Sequence, residues 1–198
     1  MQDLDISDTT AFILCSSGTT SKLKGISRSH KQFIVQVYIH DQGDLEPGTC
    51  FFPLGPYWSV SVFFLIYSTL YGFKRVITSQ QISPESLINI IDRQKVTFVI
   101  CSPTTGQKMM KCKNYRPLGG VKNVRVTAQK IHESAVNEIQ EVFPNAKLST
   151  AYGSTELDGI TRSLGGLKGN SSGQVVFNYS VKVSKTEFLN LLQNIFSQ

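Results

Sequence analysis

Short runs of β-branched and aromatic residues alternate along this chain with longer segments whose apolar residues recur at helical spacing. That alternation predicts an α/β domain with a mostly parallel sheet flanked by helices, because each parallel strand needs a crossover and a helix is the usual one. Residues 11–15 read as a first strand, after which Ser29 can cap a helix with Phe33, Ile34, Val37 and Tyr38 on one face. Residues 50–53 read as a strand, 58–70 as a buried helix and 74–78 as a further strand. Ser83-Pro84-Glu85 combines a cap, a proline at the first helical position and an acid near the positive dipole end, and the helix it starts is apolar at Leu87, Ile88 and Ile91. The clearest strand, 96–101, leads into Ser102-Pro103. A strand at 124–127, a helix over 131–143 and a strand at 147–151 follow. Beyond Tyr152, Gly159, Gly165, Gly166, Gly169 and Gly173 predict a loop region, 174–183 resumes a strand-like alternation, and 186–196 reads as a short amphipathic helix.

A chain of 198 residues can bury one sizeable core. With 40% hydrophobic and 17% charged residues it excludes disorder over most of its length. The formal charge of +6 is spread rather than gathered into a block, so a nucleic-acid partner is not expected. Cys15, Cys50, Cys101 and Cys112 form no CxxC pair and have no histidine cluster beside them, which predicts reduced thiols in an intracellular, cytoplasmic setting rather than a zinc site. The polar, acidic first residues do not suit a secretory signal. No charge occurs between Glu46 and Lys74, but the apolar run at 57–73 is shorter than the ~20 residues of a membrane span and holds hydroxyl residues, so no span is expected. His30, His40 and His132 show no acid or nucleophile partner in sequence, and a hydrolase triad is not supported.

Two segments carry chemistry. The first lies between the first strand and the first helix, where Ser16, Ser17, Thr19, Thr20 and Ser21 supply hydroxyls, Gly18 and Gly25 admit close backbone approach, and Lys22 and Lys24 supply charge. Polyphosphate oxygens need such donors and such charge. It is not a Walker A loop, which ends in Gly-Lys-Ser/Thr, and composition alone also permits a Ser/Thr-rich surface loop. The second, Tyr152-Gly153-Ser154-Thr155-Glu156, directly follows a predicted strand, at the carboxyl edge where ligands gather in open α/β sheets. Taken alone it also reads as a turn with an exposed Thr-Glu pair.

Ser17-Gly18-Thr19-Thr20 followed by Lys24-Gly25 resembles the Ser-Gly-Thr-Thr-Gly-x-Pro-Lys-Gly signature of the adenylate-forming (AMP-binding) superfamily of acyl-CoA synthetases and insect luciferases. Ser29-His30 matches its Ser-His pair, and residues 152–156 resemble its Tyr-Gly-x-Thr-Glu motif. The resemblance covers about residues 8–183. It implies that residues 1–183 are part of the large N-terminal adenylation domain, leaving 184–198 as a divergent tail. Members are much longer and carry a small C-terminal domain with a catalytic lysine, so a truncated or rearranged product is expected.

By resemblance, Ser16, Ser17, Gly18, Thr19, Thr20, Ser21, Lys24 and Gly25 hold the β- and γ-phosphates of ATP. Tyr152 lies against adenine, Gly153 belongs to the same cofactor-binding set, Thr155 reaches the α-phosphate and Glu156 holds Mg²⁺; Thr155, Glu156 and Lys24 are the catalytic candidates. The implied partners are ATP, a carboxylic acid and CoA, as in fatty acid activation. The implied activity is an ATP-dependent carboxylic acid–CoA ligase; the alternative is an inactive remnant that binds nucleotide or a protein. The resemblance also admits a peroxisomal address, although the chain lacks a Ser-Lys-Leu ending. Departures from the pattern are Ser21 for Gly, Leu23 for Pro and Phe177 for Pro. Tyr57-Trp58 adds aromatic bulk that either narrows an acyl pocket or packs in the core, and Gln129-Lys130, where a Gly-Gly-Ala turn is usual, would bring side chains into the substrate space.

Overall fold

The computed structural model describes residues 5, 7–16, 23–40, 45–78, 82–163, 166–177 and 179–182. Its first elements are β1 (Thr10–Ser16) and β2 (Lys24–Ser29), an antiparallel pair whose register sets Ser16 opposite Lys24. The helix α1 (His30–His40) follows directly. Its start is capped reciprocally: Gln32 N–H donates to Ser29 Oγ at 3.3 Å, and Ser29 N–H donates to Gln32 Oε1 at 2.8 Å.

The remaining elements are β3 (Thr49–Phe51), α2 (Ser59–Leu70), β4 (Lys74–Val76), α3 (Pro84–Arg93), β5 (Phe98–Cys101), α4 (Pro103–Met110), β6 (Asn123–Val126), α5 (Glu133–Val142), β7 (Lys147–Ser154), β8 (Asp158–Arg162) and β9 (Gln174–Val175). They build one sheet in the order β4-β3-β5-β6-β7-β8-β9. The strands from β4 across to β7 pair parallel, and β8 and β9 extend that edge antiparallel.

The chain steps outward from β3 to β4 and then returns past β3 to β5, so the helices divide between the two faces. Phe98 and Ile100 pack with Val37, Phe63, Phe64 and Tyr67 of α1 and α2. Val99 and Cys101 pack on the other face with Leu87, Ile88, Ile91, Met109, Ile139 and Val142 of α3, α4 and α5. A strand covered on both faces must be apolar throughout, which is why 96–101 is so plain in the sequence.

The α3 start is as expected: Ser86 N–H donates to Ser83 Oγ at 3.1 Å, with Pro84 at the first position. Three differences from the sequence reading stand out. The expected face of α1 is split, with Phe33 and Val37 buried but Ile34 and Tyr38 58% and 80% exposed. The helix α4, capped by Ser102 Oγ, was not foreseen. Residues 158–162 form a strand inside the predicted loop region, because pairing with β7 outweighs the local preference of Gly159. The predicted helix at 186–196 lies outside the described residues. No helix among those described is long and apolar enough to cross a membrane, and the four cysteines are free.

Candidate functional site

At the carboxyl ends of β6 and β7, on the α2 side of the sheet, Trp58, Phe63 and Phe64 face Ala128, Ala151, Tyr152 and Gly153 across a cavity of about 220 Å³. Trp58 of the aromatic pair lines the cavity, while Tyr57 is 70% exposed and is not among the lining residues. Gln129 and Lys130 do not enter the cavity, against expectation. Ala128 adopts a left-handed φ of 74°, and Gln129 Oε1 turns to accept a hydrogen bond from Thr104 Oγ1 at 2.7 Å. Arg125, on the opposite face of β6 from Val124 and Val126, is buried beneath Phe64, with its guanidinium carbon 5.6 Å from the ring centroid.

The strand β7 runs beyond its expected end, so Tyr152, Gly153 and Ser154 belong to the strand itself. The chain then turns through residues 155–157 into β8, with Ser154 paired to Asp158 and Gly153 to Gly159. Only glycine fits at 153, because a Cβ there would stand 1.8 Å from the Asp158 carbonyl oxygen. Tyr152 is 55% exposed at the cavity wall and Glu156 is exposed, while Thr155 is partly buried.

All three carbonyls of this turn accept hydrogen bonds from protein donors. Arg28, on β2, donates through Nη1 to Thr155 O at 3.2 Å and to Glu156 O, and through Nη2 to the Asp158 carboxylate. Leu157 O accepts from Gln36 Nε2 of α1 at 3.4 Å and from Tyr179 OH at 2.7 Å. The Arg28 and Asp158 side chains are 3% and 6% exposed. Burial raises the Asp158 carboxyl and Arg28 opposes the rise, leaving it at about 6. The two side chains form a buried ion pair.

Ser16 and Lys24 close the hairpin opposite each other and act on Glu156. The Glu156 carboxyl is held below its usual range by its own backbone N–H first, then by the Ser154 and Ser16 hydroxyls, with Lys24 adding positive charge. Ser16 Oγ is buried and makes no hydrogen bond of standard geometry, so its pull is that of a nearby dipole rather than a formed bond. The structure therefore gathers Ser16, Lys24, Tyr152, Gly153, Thr155 and Glu156 into one region. Gly25 is exposed beside Lys24 on β2. Ser17, Gly18, Thr19, Thr20 and Ser21 lie outside the described residues.

Glu156 is an ionised carboxylate open to solvent, and the described residues hold no group of three or more His, Cys, Asp or Glu that could bind a metal unaided. That donor set fits a Mg²⁺ ion sharing one carboxylate with phosphate oxygens and water, and does not fit an all-protein metal centre. Sequence reasoning missed Arg28, Asp158, Gln36 and Tyr179. The available signal was Arg28 two residues after Ile26, which puts both on one face of a strand.

A family model described as AMP-binding enzyme matches residues 3–194. The 4-coumarate–CoA ligase CCL1 of Humulus lupulus is 26% identical over 184 residues, a match covering 85% of this chain and 33% of the ligase. The chain thus spans about a third of the length of that relative. An anthranilate CoA ligase solved with anthranoyl-AMP superposes with a TM-score of 0.79 at 20% identity, over 88% of this chain and 35% of the other. An O-succinylbenzoate coenzyme A synthetase of Bacillus subtilis, solved with ATP and a magnesium ion, gives 0.74 at 21% identity, over 90% and 38%. At these identities the two structures establish the fold: this chain is built like part of the N-terminal domain of adenylate-forming enzymes.

Proposed function

Because the chain belongs to the AMP-binding enzyme family, we propose that it carries the adenylate-forming site of an ATP-dependent carboxylic acid ligase of the acyl- or aryl-CoA type. The observation that carries this reading is the convergence of Ser16 and Lys24, from the hairpin, on Glu156 at the turn that follows the cavity-lining Tyr152 and Gly153. Positive charge and hydroxyl donors stand beside an ionised carboxylate, and a partly apolar cavity lies next to them. A polyphosphate, a divalent cation and an organic acid require such surroundings.

In the reaction proposed, a carboxylate oxygen of the acid attacks the α-phosphorus of ATP. The bond from that phosphorus to the bridging oxygen of the β-phosphate breaks, and pyrophosphate leaves with the electron pair. Lys24 and the hydroxyls of residues 16–21 bear the charge of the departing phosphates; Thr155 orients the α-phosphate and Tyr152 the adenine. Mg²⁺ held by Glu156 would neutralise phosphate charge. Catalysis is then mostly positioning and electrostatics. In a second step, implied by the family resemblance, the sulfur of CoA attacks the acyl carbon, AMP leaves with the pair, and the thiol proton passes to solvent.

The aromatic wall of Trp58, Phe63 and Phe64 supports an acid with a flat or apolar body. Residues 1–183 serve in this reading as the adenylation portion. The experiment is to supply the purified chain with ATP, Mg²⁺ and a panel of aromatic, fatty and short-chain acids and to measure pyrophosphate release. Acid-dependent release is expected. No release with any acid, together with no ATP binding in calorimetry, removes the reading.

A further inference from the structure

The two motifs of the site stand on separate sheets. Ser16, Lys24 and Gly25 belong to the two-stranded β1–β2 sheet, whereas Tyr152, Gly153 and Ser154 belong to β7 of the seven-stranded one, and no strand pairing joins them. The small apolar cluster beneath the hairpin consists of Leu14, Phe33 and Val62, with no member from β7 or β8. Among the described residues, Arg28 and Gln36 make the hydrogen bonds that cross from β2 and α1 to the 155–157 turn. Arg28 engages three acceptors at once: two successive carbonyls and a carboxylate. Phe33 lies against it, with the guanidinium carbon 5.9 Å from the ring centroid. A planar guanidinium can serve this arrangement, whereas a lysine ammonium on a flexible stem cannot hold all three in register.

We infer that Arg28, neutralised by Asp158, is a positioning residue that sets the β1–β2 pair against the 155–157 turn, so that the two halves of the site grip one nucleoside triphosphate together. The inference rests on the nucleotide reading above. Its consequence is specific to phosphate-chain length. The second motif meets the adenine and α-phosphate, which AMP also has, while the hairpin meets the outer phosphates, which AMP lacks. Displacing the hairpin should therefore weaken ATP much more than AMP.

The test uses the full chain and two variants. Arg28→Met paired with Asp158→Asn removes both charges, so that neither is left buried alone. Arg28→Lys keeps the charge but loses the fork. In the double variant, amide hydrogens of β2 and residues 155–159 are expected to exchange about tenfold faster or more, while those of α3 and β5 keep their protection. ATP affinity should fall about tenfold or more and AMP affinity by less than about threefold, with Arg28→Lys between wild type and the double variant. Unchanged exchange in the turn overturns the inference. So does an equal proportional loss of ATP and AMP affinity, which would mean a general structural role. A wild-type chain that binds neither nucleotide overturns the functional reading and the nucleotide half of this inference, and the exchange comparison then decides whether Arg28 sets the position of the hairpin.

Discussion

The seven-stranded sheet and the β1–β2–α1 unit draw on apolar burial to different extents, since the smaller unit packs through Val37, Leu14 and Phe33 and adds a polar link to the 155–157 turn. In the first, Ile88, Val99, Val124, Ile139 and Phe143 have no exposure at all, and helices cover the sheet from both faces. In the second, Leu14 and Phe33 are buried, but Ile13, Ile34 and Tyr38 are 72%, 58% and 80% exposed, and polar side chains make the link to the turn. Apolar burial is strong and non-directional, which suits a scaffold. Hydrogen bonds are weaker and directional, which suits parts that must face a ligand at a set distance. The hairpin that carries Ser16 and Lys24 thus belongs to the less deeply buried of the two units.

Phe143→Ala should give the largest effect and break the scaffold, since emptying a fully buried aromatic site costs about 3–5 kcal/mol. Denaturant unfolding should show a lower midpoint for the whole chain; a loss confined to the hairpin would contradict the division drawn above. Lys24→Ala should do the opposite, leaving unfolding almost untouched while weakening ATP binding by about 1.5–3 kcal/mol through loss of a charge-assisted contact. Calorimetry with ATP separates the two outcomes, and an unchanged affinity would detach Lys24 from the site. Glu156→Gln keeps the shape of the turn and removes its charge, so ATP binding should lose most of its dependence on Mg²⁺; a titration showing the same dependence as wild type would mean the ion is held elsewhere.

The smallest effect is expected at Ala128, whose φ of 74° is strained for an L-residue. Left-handed backbone costs about 1–2 kcal/mol, and the added chain freedom of glycine offsets up to about 1 kcal/mol. Ala128→Gly should therefore gain about 1 kcal/mol and raise the melting temperature by about 2–4 °C. A fall would show that the backbone there is not under strain.

Some of this architecture could be read locally. β5 was plain because both its faces are covered, and the start of α3 because its cap and proline are sequence neighbours. Ser102-Pro103 begins α4 with the same chemistry, yet that helix was missed, since Thr104, Thr105, Gln107 and Lys108 erase an apolar period. It packs through Met109 and through Gly106, where a Cβ would meet Ile139 Cγ1 at 2.5 Å, and an absent side chain leaves no hydrophobic signal. The two motifs are likewise local patterns of neighbouring residues. Gln129, expected to crowd the substrate space, was misread because its direction depends on Thr104, a residue of another element.

What the sequence determined by itself was the order of strands and helices and the places of the two motifs, because periodicity, caps and motif residues lie within a few positions of one another. The meeting of those motifs was decided by the tertiary structure alone. Arg28 and Asp158 are 130 residues apart, on different sheets. No local pattern encodes their contact, because its energy comes from burying opposite charges together once both sheets have already folded.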